Sequence, residues 1–211
     1  MVKNIEQKKG VWNIEVMNII SNETKYVQAK VVINATGPWI DNFLKNHSKQ
    51  TKIDNVRLVK GSHIVVKKLF NHSYAYIFQN SDSRVFFAVP WENEFTFIGT
   101  TDVDFKDNLD SFSASDDEIN YLCKSANQYF RSGISSNDVI KHWSGVRPLY
   151  QDGSIKAQKA SRDYTIRIDS QDNNSALIKS ITPTFHILDT HFINNSHIRY
   201  RHQHIITIIE Y

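Results

Sequence analysis

Val59-Lys60-Gly61-Ser62-His63-Ile64-Val65-Val66, read with Ser144-Gly145-Val146-Arg147-Pro148-Leu149, decides both the fold and the chemistry of this chain. Each stretch is an apolar, strand-like run broken by glycine, and each carries one chemically capable side chain, His63 or Arg147. A basic group set among apolar neighbours is either paired and structural or placed for a ligand. An ordinary imidazole titrates near neutrality, so His63 can serve as a general base or sit as a core histidine bonded to a carbonyl. Gly145 and Pro148 restrict the backbone around Arg147. Its guanidinium can fork onto a phosphate or carboxylate ligand, or pair with an acid such as Asp102 or Asp152.

Working outward, residues 11–20 and 25–35 read as strands, with Lys30-Val-Val-Ile-Asn-Ala35 apolar enough to be covered on both faces. Gly37 and Pro38 end that run, and Pro38 opens a short helix with Ile40, Phe43 and Leu44 on one face. Residues 46–55 are polar and read as a loop or domain boundary. Beyond them the strands are short and aromatic. Asn80-Ser-Asp-Ser83 forms a hairpin turn, and Glu92-Asn93 forms a second. Ser115-Asp-Asp-Glu118 is a capping box, and Ile119, Leu122, Cys123, Ala126 and Phe130 follow at helical spacing. Residues 139–150 and 156–169 read as further strands about a turn at Asp152-Gly153.

The 211 residues can bury a sizeable core. A net charge of +3 with no run of five like charges argues against nucleic-acid binding. One cysteine, Cys123, excludes an internal disulfide; on its helical face it reads as a small buried apolar residue in a reducing, cytoplasmic protein. The charged N-terminus has no secretory pattern, and no apolar run approaches the roughly 20 residues of a membrane span. His186, His191, His197, His202 and His204 crowd the last stretch, but no acidic or Cys residue stands at ligand spacing, so no metal site is expected.

Two further turns could meet a ligand. Asn34-Ala35-Thr36-Gly37-Pro38-Trp39 ends a strand and opens a helix, with small residues that let a ligand approach the backbone. Gly99-Thr100-Thr101-Asp102 ends a strand with hydroxyls and an acid, which by itself reads as a turn capped by Asp102.

Taken in order, VVINATGPWID (31–41), VRLVKGSHIVV (56–66), NSDSRVFFAVPWENEFTFIGTTDVDF (80–105), INYL (119–122), SGVRPLYQDG (144–153) and SRDYTI (161–166) resemble the middle of the FAD-dependent glycerol-3-phosphate dehydrogenases, within the D-amino-acid-oxidase-like flavoproteins. The resemblance covers roughly residues 1 to 179. It implies oxidation of sn-glycerol 3-phosphate to dihydroxyacetone phosphate, with hydride passing to FAD and electrons to a quinone at the inner face of the cell membrane. It also implies roles. Ala35, Thr36, Gly37 and Pro38 would lie along FAD, and His63 would be the base for the alcohol proton. Arg147 would contact the substrate, and Thr101 would help to shape the substrate pocket.

The resemblance has two gaps. The family's Gly-x-Gly-x-x-Gly turn is absent, since the glycines stand at 10, 37, 61, 99, 133, 145 and 153. The family's substrate-phosphate arginine near the N-terminus goes with it. The family's Phe-Gly-Gly-Lys-Ile-Thr segment is replaced by Ile178-Lys-Ser-Ile-Thr-Pro-Thr-Phe185. The expected fold is therefore α+β: a remnant of an α/β FAD-binding domain (1–48), a mostly antiparallel substrate domain with one capped helix (49–180), and a divergent, disordered or frameshifted tail (181–211). The strand at 31–35 is expected to expose an apolar edge. The chain is expected to be an enzyme fragment, inactive alone. The alternatives are another FAD-dependent amine or amino-acid oxidase, or a non-catalytic half whose partner chain carries the glycine loop.

Overall fold

The computed structural model describes residues 1–47, 55–154, 157, 160–172, 175–181 and 206–209. In chain order its strands are β1 (Val2–Lys8), β2 (Val11–Met17), β3 (Thr24–Ala29), β4 (Val31–Asn34), β5 (Val56–Lys67), β6 (Tyr76–Gln79), β7 (Val85–Trp91), β8 (Phe95–Gly99), β9 (Val103–Asp104), β10 (Lys141–Tyr150), β11 (Thr165–Asp172), β12 (Ser175–Ile181) and β13 (Ile206–Ile209). The α-helices are α1 (Ile40–His47) and α2 (Asp116–Ala126). This is the expected α+β class. The chain divides into two compact units: Met1–Arg57 with Pro148–Gly153 and Ala160–Tyr211, and Leu58–Arg147 with Ser154–Lys159.

In the first unit, β1, β2 and β3 form an antiparallel meander. Lys9 and Gly10 both take positive φ (52° and 75°), which turns a two-residue hairpin in the sense that matches strand twist. Strand β1 was not legible in advance because only Ile5 of its residues is buried, and the rest show no apolar alternation. The strand expected over 25–35 is broken at Lys30 into β3, which pairs with β2, and β4, which joins a second sheet of order β11-β12-β4-β13. Strand β4 runs parallel to β12 and antiparallel to β13, so the edge expected to be bare is occupied. The strand expected over 156–169 begins only at Thr165; Ser161 before it donates its amide to Asp152. The polar segment 48–54 and the five tail histidines lie outside the described residues.

A 3-10 turn (Gly37–Trp39) leads into α1, which buries Ile40, Phe43 and Leu44 as the spacing required. Phe43 and Leu44 join Ile5, Trp12, Ile14, Ala29, Val32 and Leu177 in the core of this unit. The indole N–H of Trp12 donates to the Ala176 carbonyl (3.0 Å), tying the meander to β12.

The second unit is a sheet of order β10-β5-β8-β7-β6, with β9 also on β5. The β6–β7 hairpin turns at residues 80–83, as read from the sequence, with the Asn80 amide donating to the Arg84 carbonyl (2.8 Å). Ser115 and Glu118 form the expected capping box at the start of α2. Ile119, Leu122, Cys123 and Ala126 then pack against Ile64, Val66, Phe86, Ala88 and Ile98. Strand side chains alternate between faces, so residues 61, 63 and 65 of β5 point away from α2. Across the pairing, His63 stands opposite Gly99 and Val65 opposite Phe97. The helix therefore closes one face of the sheet, and His63 belongs to the other.

Leu122 is fully buried where α2 meets the sheet. Leu122→Ala should lower the unfolding free energy of this unit by about 2–5 kcal/mol in urea denaturation, through lost transfer energy and a cavity. A loss below about 1 kcal/mol would show that the site can collapse around the gap.

Candidate active site

His63 and Arg147 belong to the same unit, on β5 and β10, neighbouring strands of one sheet. His63 is 9% exposed. Its ring stacks on Phe97 (4.7 Å between centroids, 7° between planes) and lies near-parallel to Trp143 (5.8 Å, 18°). Burial, and then the positive charge of Arg147, push its pKa from 6.5 down to about 4. The imidazole is thus neutral throughout the neutral range, with a lone pair to accept a proton, and titrates well below the near-neutral value expected of it.

Of the acids that the sequence offers to Arg147, Asp102 is paired with it. Nη1 donates to Asp102 Oδ1 at 3.0 Å, and both side chains are about nine-tenths buried. Nη2 reaches the Thr100 hydroxyl at 3.4 Å. The turn at residues 100–102 therefore holds the guanidinium. Thr101 is itself buried, and its hydroxyl donates to Glu118 (2.7 Å).

Two glycines make this arrangement possible. A Cβ on Gly61 would lie 2.5 Å from the Thr100 hydroxyl oxygen, 2.7 Å from Arg147 Nη1 and 3.0 Å from the Thr101 carbonyl oxygen. A Cβ on Gly99 would lie 2.0 Å from His63 Cδ2. Each basic side chain thus lies against a strand position with no side chain. The sequence marks Gly61 and Gly99 only as breaks in strand runs; their pairing with His63 and Arg147 needs the register. Phe97 and Trp143 carry no such signal either, because a strand aromatic usually marks core.

The other expected residues, Ala35, Thr36, Gly37 and Pro38, lie in the first unit, just after β4. Asn34, fully buried, fixes that turn. Its Oδ1 accepts from the Thr36 amide (3.3 Å) and hydroxyl (2.8 Å), and its Nδ2 donates to the Ile40 carbonyl (3.1 Å). Gly37 takes φ +58°, and among the described residues nothing lies within 4 Å of where its Cβ would be. Among those residues the backbone there is open to close approach.

Gly61→Ala and Gly99→Ala should each destabilise the second unit by about 1–3 kcal/mol in denaturant titrations, because the added methyl meets backbone or a packed ring. A neutral effect would mean that Arg147 or His63 can move aside freely. The pH dependence has a definite sign. The folded pKa of His63 lies below its unfolded value, so stability is complete above about pH 6.5 and is lost as pH falls toward 4. The loss is on the order of 3 kcal/mol. His63→Gln should remove that component; equal pH slopes for the two proteins would contradict the assignment.

Residues 1–167 match the family described as FAD dependent oxidoreductase (DAO). Over 172 residues the chain is 38% identical to an aerobic glycerol-3-phosphate dehydrogenase of Escherichia coli (strain K12), covering 82% of this chain and 34% of that protein. Over 168 residues it is 38% identical to a D-erythritol 1-phosphate dehydrogenase of Brucella abortus (strain 2308), covering 80% and 34%. The solved glycerol-3-phosphate dehydrogenase from Bacillus halodurans, complexed with FAD, superposes with a TM-score of 0.66 at 28% identity, covering 88% of this chain and 34% of that one. The chain thus spans 34% of the length of these relatives. The resemblance read from the motifs is borne out: the chain belongs to the FAD dependent oxidoreductase family.

Proposed function

We propose that this chain carries the substrate-side chemistry of an FAD-dependent enzyme oxidising sn-glycerol 3-phosphate to dihydroxyacetone phosphate. The observation that carries the proposal is a buried imidazole, His63, on the strand next to the one that bears a guanidinium held by Asp102. An alcohol bearing a phosphate needs both groups: one to take the hydroxyl proton, one to fix the anion.

In the proposed reaction the C–H and O–H bonds of the secondary alcohol break and a C=O bond forms. Bound FAD supplies a hydride acceptor, from which the electrons go on to a quinone. His63 takes the hydroxyl proton on its ring nitrogen. Its low pKa makes it a weak base, so proton transfer has to accompany hydride loss. Arg147 contacts the substrate, oriented by Asp102 and Thr100. Thr101 shapes the pocket by anchoring the turn that carries both of those groups. Ala35, Thr36, Gly37 and Pro38 run along the cofactor. The open backbone at Gly37 fits a planar ring system. The pyrophosphate contacts come from a glycine-loop segment outside these residues or from a separate chain.

A second substrate has a specific basis. The chain is as similar to a D-erythritol 1-phosphate dehydrogenase as to a glycerol-3-phosphate one, which supports a longer polyol phosphate as a second substrate to test. Among the described residues no helix is long and apolar enough to cross a membrane. The proposal places the protein in the cytoplasm, meeting quinone peripherally at the inner membrane face.

The test is anaerobic bleaching of bound flavin by sn-glycerol 3-phosphate and by D-erythritol 1-phosphate, in the chain complemented by a loop-bearing segment. Bleaching by a polyol phosphate is expected. Arg147→Gln should raise the half-saturating concentration about 10- to 100-fold, and His63→Gln should slow bleaching about 100-fold. Bleaching by an amino acid instead would overturn the proposal.

A further inference from the structure

The capping carboxylate of α2 does more than cap. Glu118 is only 5% exposed, and its two oxygens serve different parts of the structure. Oε2 accepts from the Ser115 amide (3.0 Å) and hydroxyl (3.1 Å) and pairs with Lys60 Nζ (2.8 Å). Oε1 accepts from the Ser62 hydroxyl (2.8 Å) and the Thr101 hydroxyl (2.7 Å). The Ser62 amide donates in turn to the Thr101 hydroxyl (2.9 Å), and the Ser62 and Ser144 hydroxyls are 2.7 Å apart.

A capping box needs a single acceptor oxygen and works on an exposed helix end. Burying a carboxylate is costly, and here Lys60 and four polar donors offset that cost. The segments that Oε1 joins are the ones bearing the candidate site. Ser62 precedes His63 on β5, Thr101 precedes Asp102, and Ser144 lies three residues before Arg147 on β10. Ser62 faces α2, while Gly61 and His63 face the opposite side of the sheet. The grip is therefore applied from behind the site.

We propose that Glu118 is a positioning residue: through Ser62 and Thr101 it sets the strand and turn so that Asp102 holds the Arg147 guanidinium against Gly61, beside His63. Its importance for catalysis rests on the function proposed above, but its structural action can be read without substrate. Burial alone would raise the Glu118 carboxyl, yet Lys60, Ser115, Thr101 and Ser62 together bring it below the ordinary carboxylate value, so it stays ionised and accepts from all of them.

The experiment is side-chain NMR of arginine in the full 211-residue chain, with Arg147 assigned by loss of its signals in Arg147→Lys. A guanidinium held by Asp102 and Thr100 should give resolved Nη–H signals. Glu118→Gln and Thr101→Val should each lose them while amide dispersion is kept. Ser115→Ala should lower the melting temperature by removing the cap, yet leave the Arg147 signals intact. Unchanged Arg147 signals in folded Glu118→Gln would overturn the proposal. If that variant fails to fold, unchanged signals in Thr101→Val would overturn it. Loss of the signals in Ser115→Ala would also overturn it, by showing that helix stability alone governs Arg147. Failure of the wild-type chain to bind sn-glycerol 3-phosphate would count against the proposed function and not against the positioning role.

Discussion

The Asp102–Arg147 ion pair is the interaction around which the second unit is arranged. A guanidinium this buried needs a partner, because an unpaired buried charge costs several kcal/mol. The carboxylate satisfies it from the turn after β8, with the guanidinium lying over Gly61 of β5. The charge of Arg147 also acts at the imidazole, adding to burial in keeping His63 neutral. The two glycines follow from the same constraint. With Arg147 lying against Gly61 and His63 against Gly99, neither position can carry a side chain without displacing a basic group.

The surrounding fold supports that geometry by separating two jobs. Helix α2 packs its apolar face on one side of the sheet, through Ile119, Leu122 and Ala126. The opposite side carries the His63, Phe97 and Trp143 rings. The first unit repeats the theme of a polar staple. Buried Asn34 organises the turn after β4 with three hydrogen bonds, and among the described residues the Gly37 backbone is open.

Much of this was legible in the sequence, for identifiable reasons. The capping box, the apolar face of α1 and the 80–83 hairpin are local signals, set by residues within a few positions of each other, and they appear as read. His63 and Arg147 stood out because a basic residue in an apolar run demands an explanation. What was not legible is non-local. Strand β1 exists because it pairs with β2 across a two-residue turn, although five of its seven side chains are polar. The break at Lys30 depends on two sheets competing for one apolar run. The pairing of Arg147 with Asp102, and the facing of His63 with Gly99, depend on register, which composition does not encode. Glu118 shows the limit from the other side: its local role was plain, while its contacts to Ser62 and Thr101 bridge 56 and 17 residues.

The most direct measurement is a titration of the isotopically labelled chain with sn-glycerol 3-phosphate, followed by NMR at the His63 ring, the Arg147 guanidinium and the amides of residues 99–102. The account predicts saturable shifts concentrated on these groups, with the largest at Arg147. Saturable shifts centred elsewhere, or no change at Arg147 and His63, would contradict it.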